Sequence, residues 1–430
     1  MISKRNRISR LGMILLCLCM LSLPSVSFAQ SGPGLSRETV EETPSETMGG
    51  TWLSRGPFKI KGGLEVGWLN RSNIYLSEND TVSDNILQFM PSLGVRHEFT
   101  QTSFWSLEYY GTYAYYQEND ENDWDSHYVP FDFFLGGKTG PFVEVSNDFW
   151  RSSDPFGSED LYKVGQKTSR TQNDAYLAPG WTFSEKTKAK VYGRYIILEY
   201  DNDDDRYQNQ REMDVGGIFY YKFWPKTSML FQYTYVNREY SDQPSAFSED
   251  QYRHEFYVGL TWDATSKLQG EAKLGYGIMN YDNEFNTAGQ KYEEKNTWLA
   301  EFNVTWQAAP KLMLLGTLAR AIRQSTQGVT GTSFPNNYYV DTYASVGARW
   351  NFLRNLTAFA TVGAGLNEYN SLDGTEARDD DIFKGQVGLE YAFLKYLYAQ
   401  GYYLYDYKSS NKPNLGYTDN VFYVGVGGRF

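Results

Sequence analysis

Cysteine is almost missing from this sequence: Cys17 and Cys19 are the only two in 430 residues. Both lie in an opening stretch laid out as an export address. Lys4, Arg5, Arg7 and Arg10 form a basic head, Leu11 to Leu23 an apolar core, and Ser27-Phe28-Ala29 the small residues read by a signal peptidase. Leu16 and Leu18 precede the cysteines where a lipoprotein site needs a small residue. Cleavage is expected after Ala29, leaving a mature chain without cysteine. That excludes disulfide staples and thiolate metal sites.

Long apolar runs are the second absence. Beyond the signal segment, no stretch approaches the roughly 18 apolar residues of a membrane helix. Positive charge is short as well: 40 Lys and Arg stand against 52 Asp and Glu, a net charge of −12, and the signal segment takes away basic residues but no acid. So acidic a chain is a poor partner for nucleic acid. Gly-rich phosphate loops, zinc spacings and nucleotide fingerprints are missing too, so no cofactor is expected.

Aromatic residues, by contrast, are abundant. They make up 17% of the chain, 36 of them Tyr, while the mean hydropathy is only −0.55. This combination suits a wall that is apolar on one side and wet on the other. Residues 30–56, with Ser31-Gly32-Pro33-Gly34 and Glu41-Glu42-Thr43-Pro44, read as a flexible acidic tail. From 57 to 430 the hydrophobic period is two. Leu268, Gly270, Ala272, Leu274, Tyr276 and Ile278 alternate with Gln269, Glu271, Lys273 and Gly275; Trp298, Ala300, Phe302, Val304 and Trp306 alternate with Glu301, Asn303 and Thr305. Alternation over about ten residues is the mark of a tilted membrane-spanning strand.

Connections alternate in length. Short ones fall near 98–102, 137–140, 184–187, 224–227, 263–266, 308–311, 352–355 and 394–396. Longer polar ones fall near 70–84, 118–126, 152–170, 201–210, 241–250, 282–294, 324–338, 370–380 and 409–419. Together they imply a transmembrane antiparallel up-and-down β-barrel of about 18 strands, with short periplasmic turns and longer extracellular loops. A sandwich that large, or a propeller without a blade-length repeat, fits poorly. Tyr109, Tyr113, Tyr115, Tyr220, Tyr221, Tyr402, Tyr403 and Tyr405 read as interface girdles. The chain ends on Phe430, behind alternating apolar residues, as barrels recognised by the insertion machinery do, although Gly428 breaks the pattern.

Candidate lumen-lining residues are Lys61, Glu65, Arg96, Glu108, Glu144, Lys190, Arg194, Arg253, Glu255, Glu271, Lys273, Glu301, Arg320, Arg349, Lys384 and Glu390. Two readings stand for them. They pair across strands and keep the lumen hydrated, or they bind a polar polymer together with Tyr and Trp stacking on sugar rings. At about eighteen strands the interior is wide enough for an aqueous channel, and the mixed signs indicate no strong ion selectivity. Asp201, Asp203, Asp205 and Glu212 sit at calcium-loop spacing, but Arg206 occupies the obligatory glycine position, so solvated loop charge is the expected reading. His97, His127 and His254 have no local motif that recruits a nucleophile, and no enzyme is expected.

Over residues 58–430 the chain resembles the beta-barrel porin 2 family. The resemblance rests on this architecture, on Gly-aromatic hairpins such as Gly193-Arg194-Tyr195 and Gly217-Ile218-Phe219-Tyr220-Tyr221, and on Asp/Asn-rich outer loops. It implies an outer-membrane barrel of a Gram-negative bacterium, tied to exopolysaccharide loci and exporting that polymer alongside a periplasmic export protein. Outer-membrane lipid, lipopolysaccharide and the insertion machinery acting at Phe430 are the other expected partners. A general or substrate-specific diffusion porin, with a loop of 152–170 or 324–338 folded inward, and a closed surface barrel are the alternatives.

Overall fold

The computed structural model describes residues 52–155, 167–262, 267–286, 288–325, 337–372, 374 and 376–430. The signal segment, most of the 30–56 tail, the 263–266 turn and the middles of the 152–170 and 324–338 loops lie outside the described residues. Period-two stretches rich in Tyr, Phe, Val and Leu become strands, because a pleated wall needs one face for lipid and one for water.

A short β1 (Leu53–Arg55) precedes β2 (Phe58–Arg71), β3 (Asp84–Glu98), β4 (Phe104–Tyr116), β5 (Trp124–Gly136) and β6 (Gly140–Ser152). Next come β7 (Arg170–Thr182), β8 (Thr187–Tyr200), β9 (Gln210–Trp224), β10 (Thr227–Tyr240), β11 (Gln251–Trp262) and β12 (Leu268–Tyr281). β13 (Lys295–Ala309), β14 (Leu312–Gln324), β15 (Tyr338–Leu353), β16 (Leu356–Tyr369), β17 (Asp379–Ala392), β18 (Leu397–Ser410) and β19 (Tyr417–Arg429) complete the chain. Among the described residues, two short stretches of 3-10 helix, Asp120–Asn122 and Asp203–Gln208, sit in the long connections.

From β2 onward each strand pairs antiparallel with the next, and β19 pairs back onto β2, from Val421 opposite Arg71 to Arg429 opposite Gly63. The eighteen strands β2–β19 thus form a closed barrel. Closure is what lipid demands, since an open edge would leave backbone groups without hydrogen bonds.

Burial separates the two faces. On β2, Leu64, Val66 and Trp68 are exposed while Glu65, Gly67 and Leu69 between them are buried. The exposed apolar parity is the outer wall. Side chains of the other parity reach one another across an intervening strand, as Lys190 on β8 reaches Glu144 on β6, which a concave side favours.

Two expectations need correction. The tail does not run unstructured to residue 56, because β1 pairs with the foot of β2, Leu53 opposite Ile60 and Arg55 opposite Phe58. Trp52 lies against the lumenal Lys61, whose Nζ is 4.8 Å from the indole centroid. Tyr220 and Tyr402 are not girdle residues either. Consecutive tyrosines must face opposite ways, so Tyr221, Tyr403 and Tyr405 point outward while Tyr220 is buried inside and Tyr402 stacks on the lumenal Tyr423 at 4.7 Å.

Candidate transport lumen

Period-two alternation delivers charge to the concave face, and the side chains there are large enough to meet across one strand. Lys273 is the clearest case. It is almost fully buried, with its Nζ 2.7 Å from Glu301 on β13, 3.1 Å from Glu271 on its own strand and 3.2 Å from the Gln232 carbonyl oxygen on β10. Arg253 lies between Glu255 at 3.2 Å and Glu212 at 3.6 Å, and Arg238 also binds Glu212. Arg194 joins Asp174 and Asp214, while Lys190 and Lys188 share Glu144. Lys61 meets Glu108 at 2.6 Å, and Lys384 meets Asp406 at 3.1 Å. Near the periplasmic rim Glu390 takes Arg349 at 3.2 Å and Arg429 at 2.7 Å. Arg96 contacts Glu98 at 3.2 Å and lies 3.7 Å from the Phe104 ring centroid.

Glu65 is different, because its partners carry no charge. At 1% exposure it accepts Tyr398 Oη at 2.5 Å, Gln400 Nε2 at 2.6 Å and the hydroxyl of Tyr423. These donors come from β18 and β19, so the carboxylate ties the last strands to the first. Three hydrogen bonds supply what a missing cation does not.

Cations are therefore neutralised within one or two strands, and tyrosine hydroxyls fill the spaces between them. Such a surface offers many hydrogen-bond donors and acceptors without a long field of one sign. Chemically it can accompany a hydrated polar solute without holding an ion tightly.

A family model described as "Putative beta-barrel porin 2" matches residues 44–430. The chain belongs to that family. Among solved structures, it is similar to a BenF-like porin from Pseudomonas fluorescens Pf-5, at 13% identity and a TM-score of 0.47, covering 87% of this chain and 99% of that one. It is also similar to the outer membrane protein opdK from Pseudomonas aeruginosa, at 13% identity and a TM-score of 0.45, covering 88% of this chain and 100% of that one. No curated protein sequence matches it. As a member of the beta-barrel porin 2 family, the chain is an outer-membrane β-barrel of porin type.

Within this family member, all but one of the lumen candidates lie on the concave parity. The exception is Arg320. It stands opposite Ala300 and Thr342, on the parity of the exposed Trp298 and Trp350, and therefore on the outer face of β14. There it lies 4.5 Å from the Trp298 ring centroid and 3.4 Å from Glu368, another outer-face residue. That face does not meet lipid here, because the largely buried Arg320 also reaches Thr297, on the inner parity of β13, through Nη2 at 3.5 Å.

Asp174, Glu212, Asp214, Asp406, Tyr398, Tyr423 and Arg429 belong to the lumen networks and were not read as lumenal from sequence. Their parity on alternating strands is the signal that would have found them. Glu212 also ends the calcium-loop reading, because it lies inside the barrel against two arginines. Asp203 meanwhile pairs with Arg206 at 3.2 Å, and no metal-holding group of three occurs among the described residues.

The histidines lie in the outer wall. His97 packs 4.9 Å from Phe58 near the periplasmic rim, His254 Nδ1 meets Tyr233 Oη at 2.9 Å, and His127 meets Tyr109 at 3.0 Å and Asp125 at 2.9 Å. Their hydroxyl partners are tyrosines of the aromatic belt.

Proposed function

We propose that this barrel is a conduit through the outer membrane and that its cargo is an exopolysaccharide leaving the cell. The observation that carries the reading is the pairwise neutralisation of the lumen, with Lys273 between Glu271 and Glu301 as its clearest example. A polyhydroxylated polymer needs many exchangeable hydrogen bonds and no strong site at which to stall. The family resemblance supports the choice of cargo, since it points to polysaccharide loci. In this reading a periplasmic export protein engages the rim where β1 and Trp52 enter, lipopolysaccharide surrounds the acidic loops, and Phe430 serves insertion.

The test is an in-frame deletion, complemented by the wild-type gene and assayed for polymer on the surface and in the periplasm. Polymer trapped in the periplasm, with surface polymer restored on complementation, is the expected result. Normal surface polymer with altered uptake of small sugars would replace export by general diffusion.

A further inference from the structure

The barrel wall is not single-layered all the way round. β13 pairs with β12 up to Lys295, yet its pairing with β14 stops at Ala300 opposite Arg320. Above that point, 295–299 on β13 and 321–324 on β14 do not pair with each other, although β14 stays registered with β15 up to Gln324 opposite Tyr338. The two strands part, and the sheet overlaps itself.

Side-chain contacts show which layer is inside. Tyr257, Met279 and Leu299 belong to the inner face of β11–β13, whereas Ile322 and Tyr338 belong by register to the outer face of β14 and β15. All five pack into one buried cluster. Gln251 from the inner face donates to the carbonyl oxygen of Gln324 on the outer face, and Arg320 Nη2 reaches Thr297 at 3.5 Å. The upper ends of β14 and β15 are therefore tucked inside β11–β13, leaving 338–345 of β15 buried on both faces.

This overlap is held by side chains where the rest of the wall is held by a backbone ladder, and it is imperfectly satisfied. Gln251 Oε1 and Arg320 Nε are both buried there without a hydrogen-bond partner. A buried polar group without a partner is destabilising, so the tucked arrangement is poorly tied down. Just below the parting, Gly316, Gly347 and Gly363 lie within one residue of a common row across β14, β15 and β16. Glycine removes the side-chain packing that stiffens a sheet, so that row can bend.

We propose that the upper ends of β14 and β15 are a hinged flap across the extracellular mouth, closed when tucked and open when β14 regains its register with β13. The open register follows from the pairs below: Leu299 opposite Ala321, Trp298 opposite Ile322 and Thr297 opposite Arg323. Opening exchanges an amide contact and two orphaned polar atoms for a continued ladder, and it widens the lumen. The flap regulates the conduit proposed above and rests on that reading.

Cys17 and Cys19 are the chain's only cysteines, so engineered pairs can report on the two states of the full chain in outer membranes. Gln251→Cys with Gln324→Cys, joined by a thiol-reactive cross-linker with a reducible spacer because the two side chains meet tip to tip, traps the tucked state. Leu299→Cys with Ala321→Cys traps the paired state, since directly opposite strand residues lie about 4.5–5.5 Å apart at Cα, within disulfide reach. Single-cysteine variants, checked for heat-modifiable mobility, control for folding. Both pairs are expected to link, the first through the cross-linker and the second by oxidation, and linking the first is expected to lower planar-bilayer conductance on the order of tenfold, reversibly on reduction. If the second pair never closes while the first does, or if the locked barrel conducts as the reduced one does, the flap is overturned. If the reduced proteins and the parent all fail to conduct, the conduit reading falls, and cross-linking alone decides whether the flap moves.

Discussion

Tyr423 lies across Gly67 of the neighbouring strand, and its hydroxyl ends on Glu65. A Cβ at Gly67 would overlap that ring, so the glycine is what lets the tyrosine reach the buried carboxylate. Tyr343 over Gly363 and Tyr192 over Gly216 repeat the arrangement elsewhere on the inner face. Gly67→Ala is therefore expected to displace Tyr423 and leave Glu65 one donor short, costing about 1–3 kcal/mol. Urea unfolding followed by gel mobility measures it, and an unchanged midpoint would mean that the ring can lie elsewhere. Glu249, in the loop between β10 and β11, gives a second residue-scale test. Burial is the main cause that pushes its carboxyl up to about 8, with Asp250 adding to it and with Gln324, Gln243 and Arg238 opposing; Tyr240 and Tyr281 also face it. The folded loop holds a proton that the unfolded loop releases above about 4.5, so stability is full below that value and declines as pH rises toward 8. Limited proteolysis of the loop should quicken between about pH 4.5 and pH 8 in the wild type, level off above that, and stay flat in Glu249→Gln, which keeps an uncharged hydrogen-bonding group there.

β2 shows how an element is completed by both ends of the chain. One edge pairs with β3 throughout, while the other is shared: β19 covers 63–71, Phe430 and Gly62 exchange backbone hydrogen bonds at 2.9 and 3.1 Å, and β1 covers 58–60. Ser54→Pro, which breaks β1, is expected to raise amide exchange at 58–60 by at least about tenfold and leave 63–71 protected. Equal exchange in both forms would mean that β3 alone protects the foot of β2. The alternation and the short and long connections made the eighteen strands, their order and most of the lumenal charges legible from sequence. β1 was not legible, because three residues are too few to show a period and Gly56-Pro57 reads as loop. Arg320 was misplaced for a different reason. Leu312-Met313-Leu314-Leu315 is apolar on both parities and Ala319-Arg320-Ala321-Ile322-Arg323 carries an arginine on each, so nothing there fixes a face, and Arg320 and Arg323 end on opposite sides. The same two-sided burial marks the overlap at β14 and β15, so the unreadable stretch coincides with the place where the wall departs from one layer.

Across the whole molecule, charge is sorted by height as well as by face. The short connections carry Lys138, Lys226, Lys311, Arg354 and Lys395, whereas the long ones carry acids such as Glu118, Asp120 and Glu121, Asp203 to Asp205, and Glu293 and Glu294. Between the two rims most lumenal charges are paired locally, while the acids Glu65, Asp132 and Asp148 make no ion pair among the described residues. Selectivity of the conduit should therefore arise chiefly at its acidic outer mouth. Fields from exposed loop charges reach about 10 Å at 0.1 M salt but only about 3 Å at 1 M, while paired lumenal groups are little affected. Reversal potentials across a salt gradient are expected to show a cation preference at about 0.1 M that disappears near 1 M. Substituting the exposed Asp203 and Asp204 by Asn should weaken the low-salt preference and leave the high-salt value unchanged. A preference that survives at high salt would place an uncompensated charge inside the barrel, with Glu65, Asp132 and Asp148, lumenal acids in no ion pair among the described residues, as the first residues to change.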